Sequence, residues 1–279
     1  MQHEPRLPED LERTIFELVF FLDAAQGPKL LLVARRVQLW IEPLIYRTIE
    51  LCHPSRTAAI LDAARGKPDG FLAKHVRDVV LLGSGHNGES LLQECTGLVG
   101  LAIAGGAYTD TICPTILALP NLRRLACHPT QLIWHLPTPP LILDPAFRHI
   151  SHLDLFSGLK SSATREAENT RMCAFLATLP ALTHLSLHHG LPWPVVRNVL
   201  SALPRLRVLV DRSTPAFAPG RAETLPPDLL RDVRLVILTS GTWYEAALEG
   251  AEVWLLAEKF VDAKRSGRIP ADVFIPELA

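Results

Sequence analysis

The chain has 279 residues, of which 48% are apolar and 20% are charged, and its formal net charge is −1. This composition is typical of a folded globular protein and excludes an intrinsically disordered chain. The near-neutral charge gives no indication of a nucleic-acid partner, because phosphate binding needs clustered Lys and Arg. The longest apolar runs, at 18–22 and 30–34, are too short to cross a bilayer, so we expect no membrane span.

Cysteine usage and the amino terminus bear on location. The five cysteines are scattered and form no C-x-x-C pair, which favours a reduced intracellular compartment. We expect them to be small core residues. Residues 1–5 lack the basic and apolar regions of a signal peptide. These features together predict a cytoplasmic or nuclear location.

Three short helices are predicted at the amino end. The first starts at Pro8, because proline is tolerated where a helical N–H has no partner. Its apolar residues recur at helical spacing, namely Leu11, Ile15, Leu18, Val19 and Leu22. A Gly-Pro break at 27–28 predicts a second helix that turns Arg35 and Arg36 outward, and a third apolar segment covers 40–46.

The middle of the chain repeats the pattern L-x-x-L-x-L, which in the clearest copies follows a proline. The first apolar positions of the copies are 76, 98, 122, 150, 182, 206 and about 230. A period in the twenties predicts leucine-rich repeats, whose leucines are buried only when neighbouring units stack. We therefore expect about seven parallel strands in one curved sheet, with helices on its outer face.

The repeat pattern stops after Gly241. Residues 242–265 carry a broad apolar stripe that includes Trp254 and Phe260, which predicts one long helix. We expect this helix to cover the last open edge of the sheet. The predicted α/β fold has three parts: an amino-terminal helical domain (1–52), a leucine-rich-repeat solenoid (53–241), and a carboxyl-terminal capping helix with its tail (242–279).

The amino-terminal helices resemble an F-box. Residues 7–16 match the opening pattern L-P-x-E/D-L-x-x-x-I-F of that domain, and 33–36 are similar to its second helix. Residues 40–47 are similar to the tail of F-box-like proteins from mushroom-forming fungi. Val37 stands where an F-box usually has tryptophan.

This resemblance implies a non-enzymatic substrate receptor of a Skp–cullin–F-box ubiquitin ligase. Such a subunit docks on a Skp-type adaptor, joins a cullin and holds a protein target, so we expect a monomer within that hetero-complex. The adaptor-binding residues on the matched blocks are Leu7, Pro8, Leu11, Ile15, Phe16, Leu31, Val33 and Arg35. Phe16 is the member of this set that we most expect to lie in the helical core.

The residues alone leave another interpretation open. The same helices could be a cap that seals the first repeat of a leucine-rich-repeat binding scaffold with no ligase role. An open apolar patch at Leu7, Pro8, Ile15 and Leu31 favours the adaptor interpretation, because such patches mark partner sites. Burial of all four residues by the repeats favours the scaffold.

Residues between the repeat leucines are predicted to face the concave side of the sheet, because side chains alternate along a strand. We expect a solvated target-binding surface made of Arg124, His128, His152, Asp154, Phe156, His184, Ser186, His188 and Arg212. Two histidines near Asp154 are ligand types for a metal, but a third ligand and a second shell are missing. Acid–base catalysis is also not favoured, because no nucleophile is paired with a base.

A glycine-rich stretch at 83–88 matches G-x-G-x-x-G between a predicted strand and a predicted helix, as in dinucleotide-binding folds. The helix is short, and the next strand, 98–103, is followed by no carboxylate for a ribose hydroxyl. We interpret the stretch as a turn and predict no cofactor and no metal.

Overall fold

The computed structural model describes residues 7–82, 88–104, 112–128, 145–156, 163–188, 192–213, 218–239 and 251–276. The chain forms one parallel sheet of eight strands that lie in sequence order. The glycine-rich turn at 83–87, most of the proline-rich stretch at 130–145 and the first part of the predicted terminal helix lie outside the described residues. The parallel α/β architecture predicted from the leucine spacing is confirmed.

The eight strands include one that the repeat pattern did not predict. They are β1 Thr48–Leu51, β2 Asp78–Leu82, β3 Gly100–Ala104, β4 Arg124–Cys127, β5 His152–Leu155, β6 His184–His188, β7 Val208–Ser213 and β8 Leu235–Thr239. The unpredicted strand is β1, which pairs with β2 in parallel, with Thr48 opposite Asp78. The sheet therefore begins before residue 53, within the segment assigned to the helical domain.

Helices lead into the sheet and connect its strands. They are α1 Glu9–Leu22, α2 Gly27–Leu30, α3 Arg35–Ile45, α4 Pro54–Arg65, α5 Phe71–His75, α6 Gly88–Glu94, α7 Ile112–Leu117, α8 Ala163–Thr178, α9 Trp193–Ala202, α10 Ala218–Glu223 and α11 Ala251–Arg265. Helix α8 starts inside the polar, charged stretch 157–169. Its first turns are polar but rich in Ala, Arg and Glu, which are good helix formers.

The second helix is shorter than predicted. It ends after one turn, because Leu32 and Val33 donate to carbonyls only three residues back and Ala34 is extended. Arg35 therefore begins α3 instead of lying on the second helix. This break lets Leu31 pack into the helical core while Leu32 points to solvent.

The two faces of the sheet are different. On the leucine face, the strand leucines pack against the connecting helices in one core, which includes Leu125, Leu153, Leu185, Leu209 and Leu235. The opposite face, here called the histidine face, carries Arg124, His152, His184 and Val208 in one register row. The prediction that Arg124, His152 and His184 share one face is confirmed by the strand pairing.

Helix α11 lies across the histidine face and not at the edge of the sheet, so the predicted capping position is wrong. Its apolar residues Val253, Trp254, Ala257 and Val261 pack on the same face of β7 and β8 as Val208, Val210, Val236 and Leu238. The tail after α11 reaches the edge instead, where the carbonyl of Phe274 accepts from the N–H of Ile237 at 2.8 Å. Both faces of β7 and β8 are therefore buried.

Two further expectations concern the burial of the cysteines and membrane-spanning helices. Cys95 and Cys127 are buried, as expected, whereas Cys52 is exposed, so the expectation of a core position is wrong for that residue. In the described part of the chain, no helix combines the length and apolar character needed to cross a bilayer.

Candidate functional site

The three amino-terminal helices form a small core of their own. Phe20 of α1 and Val37 and Ile41 of α3 are its buried centre. At the surface beside this core, the guanidinium of Arg36 donates to both oxygens of Glu12, at 2.6 and 2.9 Å, and ties α3 to α1. Val37, which stands where an F-box usually has tryptophan, is fully buried here.

Helix α1 leaves an apolar face uncovered. This apolar stripe consists of Leu7, Leu11, Ile15, Leu18 and Leu22, and from Leu11 onward its spacing places the side chains on one side of the helix. Leu11, Ile15 and Leu22 are 50%, 49% and 78% exposed. All but two of the exposed large apolar side chains in the described residues precede residue 40, the exceptions being Leu255 and Val273.

The predicted adaptor-binding residues divide into two groups. Those exposed to solvent are Leu7, Pro8, Leu11, Ile15, Val33 and Arg35. Phe16 and Leu31 are partly buried and pack against the helical core. The open patch therefore includes Leu7, Pro8 and Ile15 of the discriminating set, while Leu31 belongs mainly to the core. Sequence reasoning did not assign Phe21 and Leu32 to this surface, although both are highly exposed.

Two histidines of the histidine face stack beneath α11. The rings of His152 and His184 are 4.1 Å apart and nearly parallel. The edge-on ring of Trp254 contacts both, with centroids 5.3 and 5.7 Å away. The Nε2 of His184 also lies 3.0 Å from an oxygen of Glu258 on α11. The imidazoles thus anchor the helix and do not form an open ligand site.

Both stacked imidazoles are poor bases. Burial, followed by the neighbouring His184, Arg124 and Arg207, lowers the pKa of His152 to about 3. Burial also lowers the pKa of His184, against the opposing effect of Glu258. Neutral rings can stack closely at pH 7, whereas two imidazolium rings would repel each other.

A second polar cluster lies deeper on the same face. Asp154 is 2.9 Å from the Nε2 of His188 and 3.6 Å from a guanidinium nitrogen of Arg212. Arg212 also donates to the hydroxyl of Ser186 at 3.2 Å, and Ser186 donates to Asp154. Burial alone would raise the pKa of Asp154, but these partners lower it, so the carboxylate stays charged. The cluster is a paired, hydrogen-bonded unit within the core.

The prediction that the histidine face is solvated is wrong for most of its residues. Asp154, Phe156, His184, Ser186, His188 and Arg212 are all buried. The cause on β6 to β8 is α11, which covers this face, and Phe156 packs with Val80 and Leu82 of β2. Arg124, His128 and His152 remain partly exposed. These three are the members of the predicted target surface that a partner can reach directly.

No group of three or more His, Cys, Asp or Glu side chains within the described ranges is arranged to hold a metal ion. Ser186 is fully buried and its hydroxyl is engaged by Arg212, so it offers no exposed nucleophile. The predicted site residues that stay open to solvent therefore lie in the amino-terminal helical region and on the uncovered part of the histidine face. No protein-family model and no curated protein matches this sequence.

Proposed function

We propose that the chain is the substrate-receptor subunit of a Skp–cullin–F-box ubiquitin ligase, acting in the cytoplasm or nucleus. The observation that carries this proposal is the apolar stripe, which stays exposed although α1 has a core of its own. Exposed stripes of this kind mark partner sites. Of the residues that match an F-box opening, Leu7, Leu11 and Ile15 belong to this stripe and Pro8 is exposed next to it, whereas Phe16 packs against the helical core.

The apolar stripe has the right chemistry for a tight but reversible interface. Fully burying a leucine or isoleucine side chain contributes about 1.5–3 kcal/mol. Leu11, Ile15 and Leu18 are about half exposed, so a partner that covers them gains about half of this for each. A few buried apolar anchors usually dominate such an interface. Leu11, Ile15 and Leu18 lie at the centre of the stripe, so they are the anchors that we assign to the Skp-type adaptor.

The sheet supports the second half of the proposal. Eight parallel strands in sequence order, with inward leucines and connecting helices, agree with a leucine-rich-repeat solenoid. Helix α11 covers the histidine face of β7 and β8, and its Trp254 packs on His152. We therefore place target binding on the part of this face that stays open, at Arg124 and His128. The target is a protein of unassigned sequence, and the adaptor brings the cullin.

The alternative scaffold without a ligase role has less support. It expects the repeats to cover the first helices, but the apolar stripe faces away from the helical core and is open. The scaffold becomes the better account if the unmutated chain binds no adaptor.

The test is co-purification of the tagged chain with a Skp-type adaptor. Changing Leu11→Gln together with Ile15→Gln should abolish binding, because two anchors become polar while helix propensity is kept. The melting temperature should fall by no more than about 2 °C, since neither side chain is buried. The matched control is Leu255→Gln with Val273→Gln, which alters two exposed apolar residues elsewhere and should retain the adaptor. Full binding by the first variant would exclude this interface.

A further inference from the structure

A cavity of about 390 Å³ opens between the end of α3 and the amino-terminal ends of the strands β2 to β4. Four cations line it, Arg47, Lys74, Arg77 and Arg124, together with His75 and the single carboxylate of Asp78. It is separate from the apolar stripe, since its residues come from the end of α3, from α5 and from the starts of the strands. The proposed adaptor interface does not use it.

The charge in this cavity is unbalanced. Asp78 is already paired, because the guanidinium of Arg124 donates to its Oδ1 at 2.6 Å. Arg77 donates to the carbonyl of Gly97 at 2.8 Å, which fixes its position but leaves its charge uncompensated. Arg47 and Lys74 make no side-chain hydrogen bond or ion pair within the part of the chain that is described. Three positive charges therefore have no carboxylate partner among the lining residues.

The charges of Lys74 and Arg77 also act on His75, which lines the same cavity. Its pKa is lowered, first by burial and then by the charges of Lys74 and Arg77. The ring is held in place by Phe71, whose centroid is 4.7 Å away. A neutral imidazole at this position can donate one hydrogen bond to an anion without adding charge.

Two glycines leave room for the charged side chains that line the cavity. Gly100 lies between Asp78 and Arg124 in the strand register, and a Cβ there would be 2.1 Å from the Asp78 carboxylate. The ion pair passes over this gap. A Cβ on Gly97 would be 2.0 Å from the carbonyl oxygen of Ala73 and 2.8 Å from the Arg77 guanidinium. The missing side chains at Gly97 and Gly100 therefore make room for Arg77 and for the pair of Arg124 with Asp78.

We propose that this cavity binds the phosphate group of a small phosphate monoester. Arginine forks match phosphate oxygens in pairs, and Arg47 and Lys74 are the uncommitted donors that contact the phosphate first. The volume exceeds that of a phosphate ion and lies in the range of small-molecule sites. Pro43, Leu44 and Val99 supply an apolar wall for the organic part of the ester.

The experiment uses the full chain at about pH 8, where phosphate monoesters are dianions. Calorimetric titrations with phenyl phosphate and with inorganic phosphate, in chloride buffer of equal ionic strength, separate an ester site from a free-phosphate site. We expect phenyl phosphate to bind at least threefold more tightly, because its ring contacts the apolar wall. Equal affinities for the two probes would overturn the assignment of an ester.

Charge variants test the location. Arg47→Gln with Lys74→Gln should weaken phenyl phosphate binding by about tenfold or more, because two charge-assisted contacts are lost. Neither side chain has a hydrogen-bond or ion-pair partner among the described residues, so the melting temperature in chloride should not change. The control, Arg231→Gln with Lys259→Gln, removes the same charge from exposed sites and should bind as the unmutated chain does. Equal weakening in both variants, or no binding by the unmutated chain, would refute the proposal.

Discussion

Because the stacked histidines are held neutral, we expect the fold to lose stability in acid, and a substitution of His152 tests this expectation. Its pKa is about 3 when folded, mainly through burial, against the ordinary value of 6.5. The unfolded chain therefore binds more protons than the folded chain between these values, so stability falls as pH falls through this window. For one titrating group, the free energy of unfolding falls by at most about 1.4 kcal/mol for each pH unit within this window. The upper limit between about pH 6.5 and 4.5 is therefore about 2.7 kcal/mol.

The expected effect is smaller than this ceiling, because His152 is partly exposed and solvent screens its charge. We expect about 1–2 kcal/mol from this ring over the two pH units. The groups around the stack are Arg124 and Arg207, which disfavour its protonation, and Glu258, which favours protonation of His184. Removing the His152 ring therefore removes one of two titrations that act in the same direction.

The assay is urea unfolding of His152→Asn and of the unmutated chain at about pH 7.5, 6.5, 5.5 and 4.5. The variant is expected to be less stable at neutral pH, because it loses the stack under Trp254, but to lose less stability on acidification. His149→Asn changes an exposed histidine and should follow the unmutated slope. Parallel curves for all three proteins would show that the stacked ring is not held neutral by the fold.

Two further predictions concern packing. Leu185→Ala should destabilise the chain by about 2–5 kcal/mol, as large-to-small core changes do. His184→Ala should destabilise it by more than about 0.5 kcal/mol, the usual limit for surface changes, because the ring is buried. Denaturant melts check both, and a neutral His184→Ala would contradict the position of α11. Gly97→Ala should destabilise the chain by about 3 kcal/mol or more, because the new Cβ meets the Ala73 carbonyl. In Gly220→Ala the new Cβ meets nothing, so this variant should be neutral or stabilising by up to about 1 kcal/mol. Thermal melts measure both effects. Equal melting temperatures for the two glycine variants would refute the close approach at Gly97.

The strand register could be predicted from sequence because it depends on local alternation. The L-x-x-L-x-L pattern sets which residues share a face, and the pairing of Arg124, His152 and His184 follows from it directly. A one-residue slip would have moved every leucine to the other face. The strand β1 was not predicted because its four residues contain no copy of L-x-x-L-x-L and do not follow a proline turn.

The burial of the histidine face could not be predicted in the same way. An apolar stripe on a helix shows that α11 packs on something, but not on which surface. One local signal was available. The runs Val208–Val210 and Leu235–Leu238 are apolar at every position, which is typical of strands covered on both faces and not of a strand with one solvated face. The buried pair of Asp154 and His188 gave no such signal, because the same residues suit a solvated surface.

The contrast between α1 and β7–β8 bears on where a partner binds. Both segments carry more apolar residues than one packed face requires, and such an excess must be covered or left in water. On β7 and β8 the chain covers the excess itself, with Trp254 and its neighbours on α11. On α1 the inner face is already filled by Phe20, Val37 and Ile41, and the described residues leave the apolar stripe open. Helix α11 already covers most of the apolar surface on the histidine face, so the amino-terminal helices expose more apolar surface that another protein can bind. A partner that buries Leu11, Ile15 and Leu18 therefore supplies to α1 what α11 supplies to the sheet.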